Sequence, residues 1–341
     1  MGPGQSFWFA LNVAACAAAG AWFVRRYALR RGLLDHPGER RSHRVPTPRG
    51  GGVGIVGVWL LVLALSCARW PGHMPSLLAI MAGTSLVAGI GWIDDHRALS
   101  PWSRLAVHAI AALLLGWAIW RAGGSTMDSA LAFAAALVLV NVWNFMDGID
   151  GLAASQAAIA AATYTLTADD PVTIIIAGAL AAACCGFLPL NFPKARIFLG
   201  DVGSGALGYA LATLLALVAI GDGSGFAAWP ALLIPLSAFL IDASLTLFRR
   251  MLRGDRWWTA HVEHAYQQLA FRIGAHWPVT LAYAAWSCLG VLILVIASRM
   301  MVMEGSVAIN IAIAVGWGLT GALVWAWIAR TPPQNQLGRR R

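Results

Sequence analysis

LAFAAALVLVNVWNFMDGIDGLAASQAAIAAA, residues 131–162, sets two runs of aliphatic and small side chains on either side of a short polar turn. The turn, 141–152, holds two Asn, two Asp and two Gly in twelve residues, a density that a plain connection between apolar segments does not need. Its Asn side chains offer neutral oxygen ligands and its Asp side chains charged ones, and glycine lets the backbone turn tightly. Outward from this turn the apolar runs recur along the whole chain. Candidate spans lie at 6–24, 51–68, 76–93, 103–120, 128–145, 153–168, 172–190, 203–220, 227–248, 279–297 and 306–328, eleven in all. A helix needs roughly 20 mostly apolar residues to cross a bilayer core. No stretch alternates with the period of two that a transmembrane barrel requires. The fold class expected is therefore all-α, a polytopic membrane bundle forming one unit over 1–341. The first span has neither a basic segment before it nor a small-residue cleavage site after it, and reads as a retained helix.

Composition agrees. The 341 residues are 59% hydrophobic and only 11% charged, against about 45–50% and about 25% in soluble domains. The net charge of +9 is not the signature of a nucleic-acid binder here, because the basic residues follow the spans. Of the 24 Lys and Arg, 21 fall after odd-numbered spans, and only Arg69, Arg121 and Arg299 fall on the other side. That split puts the N-terminus outside and the C-terminus in the cytoplasm. The five Cys lie in or beside spans without metal-site spacing and read as packing residues.

Acids in or beside a membrane are costly and usually functional. Asp94, Asp95, Asp147, Asp150 and Asp201 gather at one edge of spans 3, 5 and 8. One such acid could cap a helix or pair with an arginine. Five together repel unless a cation or protons neutralise them, and oxygen-rich clusters suit Mg²⁺. Arg104 opens the span after the Asp94-Asp95 pair, where it can anchor at the interface or meet a phosphate. Phe198-Leu199-Gly200-Asp201-Val202-Gly203-Ser204 opens span 8, and helix N-termini favour phosphate; it lacks the Gly-Lys-Ser/Thr ending of a P-loop. The loop Pro46-Thr47-Pro48-Arg49-Gly50-Gly51-Gly52 suits an anionic ligand. His261-Val262-Glu263-His264 puts two His three apart, on one face if the segment is helical; a third zinc ligand is missing, so phosphate contact is the reading preferred over zinc. Asp242, inside span 9, reads as a structural group orienting a polar partner.

Together these motifs resemble the polyprenyl-phosphate N-acetylhexosamine-1-phosphate transferases over about residues 35–270. The match rests on PTPRGGG (46–52), the Asp pair (94–95), NxxNFxDGxDGL (141–152), FxGDxGS (198–204) and the His loop (261–267). The resemblance implies a Mg²⁺-dependent enzyme, with Mn²⁺ as a substitute, of ten or eleven helices in the bacterial inner membrane. Its cytoplasmic site would join a UDP-N-acetylhexosamine to undecaprenyl phosphate, giving polyprenyl-diphospho-sugar and UMP. The implied partners are those two substrates and the bilayer, with a homodimer allowed and no nucleic acid.

Carried over by position, Asn144 and Asp201 match magnesium ligands, and Asp94 matches a base toward the lipid phosphate with Asp95 beside it. Asp147 and Asp150 match acids shaping the nucleotide and metal site. Arg104 matches a phosphate contact, and Arg49, His261 and His264 match residues around the diphosphate. A phosphate monoester has a second pKa of about 6 and is mostly dianionic at neutral pH, so Asp94 either assists deprotonation or positions the phosphate. Many members carry a His-rich cluster where this chain has Glu263, and the loop looks closer to the branch that starts O-antigen in lipopolysaccharide than to the peptidoglycan branch. The competing reading is a transporter or flippase for lipid-linked sugar, which would place its charges near the midplane of repeated halves. A CDP-alcohol phosphotransferase would need a DGxxAR…GxxxDxxxD pattern, which the chain lacks.

Overall fold

The computed structural model describes residues 2–35, 45–221, 225–255, 261–300 and 307–330. Arg40, Arg41, Arg44, Arg256 and Arg339 to Arg341, which the charge count assigned to one side, lie outside the described residues, as does His43. The helices are α1 (Pro3–Arg31), α2 (Gly52–Arg69), α3 (Met74–His96), α4 (Pro101–Arg121), α5 (Thr126–Met146), α6 (Leu152–Thr167), α7 (Pro171–Asn191), α8 (Asp201–Gly221), α9 (Trp229–Leu232), α10 (Ser237–Leu252), α11 (Ala265–Ile273), α12 (Trp277–Met300) and α13 (Val307–Arg330). The expected all-α membrane bundle is what forms. Among the described residues the only strands are a two-residue antiparallel ladder of β1 (Leu34–Asp35) with β2 (Thr47–Pro48).

Among the described residues each of the eleven expected spans falls on helix, 227–248 in interrupted form, and ten helical stretches are long and apolar enough to cross a membrane. The eleventh, α6, has 16 residues. At 1.5 Å per residue it reaches about 24 Å, short of the roughly 30 Å hydrocarbon core. It nonetheless completes a hairpin with α7, because the Gly151 N–H at its start donates to Asn191 Oδ1 at the end of α7, 2.9 Å away. The expected span 227–248 is not one helix. Pro230 and Pro235 cannot donate the hydrogen bonds of a continuous helix, so a 3₁₀ turn, the single-turn α9 and a second 3₁₀ turn precede α10.

Helix α8 is the axis of the bundle. It packs on α5 and α3, and nearly every residue from Val202 to Ala219 is buried. A polypeptide this apolar on every face belongs inside a bundle. Close approach is set by small residues, as between helices in lipid. A Cβ on Gly91 would stand 2.4 Å from the Asp201 carbonyl oxygen, so only glycine lets the last turn of α3 lie against the first turn of α8. That contact places the Asp94-Asp95 pair beside Asp201. Arg49, Arg104 and the arginines closing α10 share this end, whereas Arg69 and Arg121 end α2 and α4 at the opposite one.

Candidate active site

The loop 46–52 and the segment before α8 are zipped together by backbone. Phe198 N–H donates to the Pro48 carbonyl at 2.8 Å, and Gly51 and Gly52 N–H donate to Phe198 and Leu199 carbonyls at 2.9 and 2.8 Å. This pairing delivers Arg49 to the start of α8. The β1–β2 ladder brings Asp35 to the same place, and Arg49 Nη2 donates to Asp35 Oδ1 at 2.5 Å.

Around α8's first turn the carboxylates converge. Asp95, from the last turn of α3, accepts the Asp201 N–H on Oδ1 at 3.0 Å and the Val202 N–H on Oδ2 at 3.2 Å. It thus caps α8 from another helix, satisfying two of the donors that every helix N-terminus leaves open. Arg104 Nη1, one turn into α4, donates to Asp94 Oδ2 at 2.6 Å and to Asp201 Oδ2 at 2.9 Å, so a single guanidinium clasps both acids. Asp94 also accepts the Leu99 N–H at 2.6 Å. Asn144 Nδ2 donates to Ser204 Oγ at 3.2 Å, which commits its nitrogen to α8 and leaves oxygen as its ligand atom. The Asn-Asp turn is gripped from the other side: Thr280 Oγ1 donates to the Asp150 carbonyl at 2.8 Å, and His276 Nδ1 lies 3.1 Å from Asp150 Oδ2.

A cleft of about 210 Å³ opens at this point, lined by Asp35, Arg49, Asp95, Asp147, Asp150 and Asp201. Arg49 pairs with Asp35 and Arg104 with Asp201, so the remaining carboxylates of the cleft repel one another without a cation between them. Burial, and next the charges of Asp201, Asp95 and Asp150, push the Asp147 carboxyl up to about 8. The cleft shares Asp150 and Phe198 with a groove of about 590 Å³ that Arg25, Lys194 and Arg196 make basic. Negative and positive halves side by side suit a ligand that is itself a polyanion carried with a cation.

Of the ten residues singled out from sequence, Arg49, Asp95, Asp147, Asp150 and Asp201 line the cleft, and Asp94, Arg104 and Asn144 attach to α8 directly behind it. The His loop behaves differently. Residues 261–264 are not helical, and α11 begins only at Ala265, so the two His do not share a helical face. His264 is buried, with Nδ1 3.6 Å from Asp242 Oδ1, and does not line the cleft. His261 lies beside it with the rings tilted by 31° and their centres 4.8 Å apart. Burial, and next the neighbouring His264 and Arg250, push its imidazole down to about 4. Val262 and Gln267 of this loop face the cleft instead. Glu263 accepts from Arg250 and Arg253 and lies 3.8 Å from Arg249, and those arginines hold its carboxyl below the usual range against the opposing effect of burial. Asp35 and His276 escaped sequence reasoning, and no local motif announces them; Tyr266 lies within the His loop (261–267) but had no role assigned to it.

Among the described residues no group of three or more His, Cys, Asp or Glu converges to hold a metal by protein ligands alone. That fits a hard cation bound through one or two carboxylates, with water and phosphate oxygens completing the shell. Asp147 and Asp201, which line the cleft, could supply that donor chemistry, with the Asn144 amide oxygen as a neutral addition.

The family model described as glycosyl transferase family 4 matches residues 77–219. The decaprenyl-phosphate N-acetylglucosaminephosphotransferase of Mycobacterium tuberculosis (strain CDC 1551 / Oshkosh) is 32% identical over 304 residues, covering 77% of this chain and 75% of that protein. The phospho-N-acetylmuramoyl-pentapeptide-transferase of Synechococcus sp. (strain JA-3-3Ab) is 30% identical over 275 residues, 71% of this chain and 76% of that one. The Mycolicibacterium smegmatis decaprenyl-phosphate enzyme is 29% identical over 338 residues, covering 87% and 82%. Both kinds of relative span most of this helical bundle, and the chain belongs to the polyprenyl-phosphate N-acetylhexosamine-1-phosphate transferases of glycosyl transferase family 4.

Proposed function

We propose that the protein transfers N-acetylhexosamine-1-phosphate from a UDP-sugar to undecaprenyl phosphate, on the cytoplasmic face of the bacterial inner membrane, with Mg²⁺ or Mn²⁺ as cofactor. The observation that carries this reading is the convergence of Arg49, Asp95, Asp147, Asp150 and Asp201 on one cleft at the ends of apolar helices. A lipid phosphate can reach such a place from the bilayer while the nucleotide arrives from water.

In the reaction an oxygen of the lipid phosphate attacks the β-phosphorus of the UDP-sugar. The bond from that phosphorus to the bridging oxygen breaks, and UMP leaves with the electron pair. A dianionic lipid phosphate makes this exchange without net proton transfer, so Asp94, already engaged by Arg104 and the Leu99 N–H, acts by positioning. The bound cation supplies charge neutralisation for the diphosphate. Arg104 and Arg49 add positive charge where negative charge develops on the phosphoryl and leaving oxygens, and Asp95 fixes the backbone from which Asp201 projects. Asp201, with Asn144 and Asp147, would hold the cation. We assign the product to O-antigen-type glycan synthesis, on the replacement of a His-rich cluster by His-Val-Glu-His with Glu263 tied to the α10 arginines.

Purified protein, undecaprenyl phosphate and a panel of UDP-N-acetylhexosamines plus UDP-N-acetylmuramoyl-pentapeptide provide the test, with and without Mg²⁺. UMP release with a simple hexosamine donor, dependent on the cation, is expected. Release with no donor would defeat the reading, and release with the pentapeptide donor alone would overturn the branch assignment.

A further inference from the structure

The catalytic turn 141–152 is held from a distance by a carboxylate inside the bundle. Asp242, in the middle of α10, is 2% exposed and accepts hydrogen bonds from four donors. The Ala265 and Tyr266 N–H groups reach Oδ1 and Oδ2 at 2.8 and 3.1 Å, Tyr283 Oη of α12 reaches Oδ2 at 2.7 Å, and Thr246 Oγ1 reaches Oδ1 at 3.2 Å. One side chain therefore fastens α10 to the start of α11 and to α12. A carboxylate this deep is retained only when its lone pairs are filled, so the three elements move with it or not at all.

Tyr266 carries that fixation to the site. It is fully buried, and its hydroxyl donates to the Phe145 carbonyl at 3.0 Å, two residues before Asp147. The same hydroxyl lies against Gly148, where a Cβ would come within 2.1 Å of it. The glycine between Asp147 and Asp150 thus makes room for the tyrosine. Phe145 lies in the last turn of α5, so its carbonyl is one of the orphan acceptors that a helix end leaves without an intrahelical donor.

We infer that Asp242 is a positioning residue for the reaction, acting through Tyr266 to set where the Asp147–Asp150 turn stands relative to α8. The inference rests on the functional reading above and on the cation it invokes. Neither residue touches the cleft, so both act through the turn they hold.

Tyr266→Phe removes one oxygen and leaves the ring in place. A neutral hydrogen bond contributes about 1 kcal/mol net, or roughly fivefold. The expected result is a kcat about three- to tenfold lower, a severalfold higher Mg²⁺ concentration for half-maximal rate, and an unchanged KM for undecaprenyl phosphate. The Mg²⁺ concentration that half-saturates the thermal-stability shift should rise in parallel, a readout that needs no turnover. Asp242→Asn is expected to lower kcat further. In the double variant the Asp242→Asn effect should shrink, because its route through Tyr266 is already broken. Multiplicative effects, or Tyr266→Phe with wild-type kcat and an unmoved cation titration, overturn the inference. If the wild type releases no UMP the functional reading fails, and the thermal titration alone decides this one: no rise in the variant overturns it. If Asp242→Asn does not fold, Tyr266→Phe still decides.

Discussion

Asp95 makes a quantitative prediction about how α8 is held. Replacing it with alanine strips the acceptor from the Asp201 and Val202 N–H groups and removes a negative charge from the N-terminus of a 21-residue helix. Each buried donor left unpaired costs about 1–3 kcal/mol, and a charge at a partly buried helix end contributes up to about 2 kcal/mol. Asp201 borders the cleft, so water recovers part of the first loss and the total falls near 2–4 kcal/mol. If the strain is expressed as displacement of Asp201, the rate drops about 30- to 1000-fold. Asp95→Asn keeps one acceptor oxygen and loses one charge-assisted bond, about 1.5–3 kcal/mol. The assay is UMP release across pH, with thermal unfolding of the detergent-solubilised variants beside it. A cap predicts lower thermal stability for both variants, alanine worse than asparagine, and an unaltered shape of the pH–rate profile. Wild-type rate and unfolding temperature in Asp95→Ala would refute the capping argument. Total loss in Asp95→Asn at unchanged stability would assign the residue to chemistry instead.

Gly91→Ala drives a Cβ to within 2.4 Å of the Asp201 carbonyl; backbone cannot yield as a side-chain tip can, and folded yield and kcat should both fall at least tenfold, measured by size-exclusion chromatography and UMP release. Asp147, with its carboxyl raised to about 8, favours the folded state most when protonated. Its contribution is fully present below the ordinary carboxylate range and is lost as pH rises through about 8. Cation-free protein should therefore lose thermal stability between pH 5 and pH 8, and Mg²⁺ should restore it. At pH 7 calorimetry in buffers of different ionisation enthalpy should find proton release on cation binding, about 0.9 of a proton from Asp147 alone for that pKa; no proton release would contradict it. Glu263→Gln leaves Arg250 and Arg253 without their shared carboxylate, with Arg250 almost buried, and should cost about 1–3 kcal/mol, seen as a lower unfolding temperature.

Runs of apolar residues made the helices legible, and their ends were marked by arginine and aspartate. The short span expected at 153–168 is the 16-residue α6, bounded by Gly151 and the turn before Pro171, and the break in the expected 227–248 has a local cause, Pro230 and Pro235 before α10. The acids of the site were legible because charge beside a membrane is conspicuous. What those acids touch was not. Asp95 reads as half of an acidic pair, yet its partners are N–H groups more than a hundred residues away. Asp35 acquires meaning only when the ladder with Thr47 and Pro48 sets it against Arg49. His276 and Tyr266 reach back to Asp150 and Phe145 across more than a hundred residues. The His loop shows the opposite error. Spacing suggested two imidazoles facing a ligand, whereas His264 turns inward to Asp242, the residue whose structural role the sequence did convey.

The account stands or falls on which bond is broken. UDP-N-acetylhexosamine labelled with ³²P at the β-phosphate, incubated with the purified protein, Mg²⁺ and undecaprenyl phosphate, distinguishes the possibilities directly. The account predicts that sugar and β-phosphate label enter the lipid together, with one UMP released per labelled lipid. Sugar appearing in lipid while the label leaves in UDP, or no label in lipid with any donor, would contradict it.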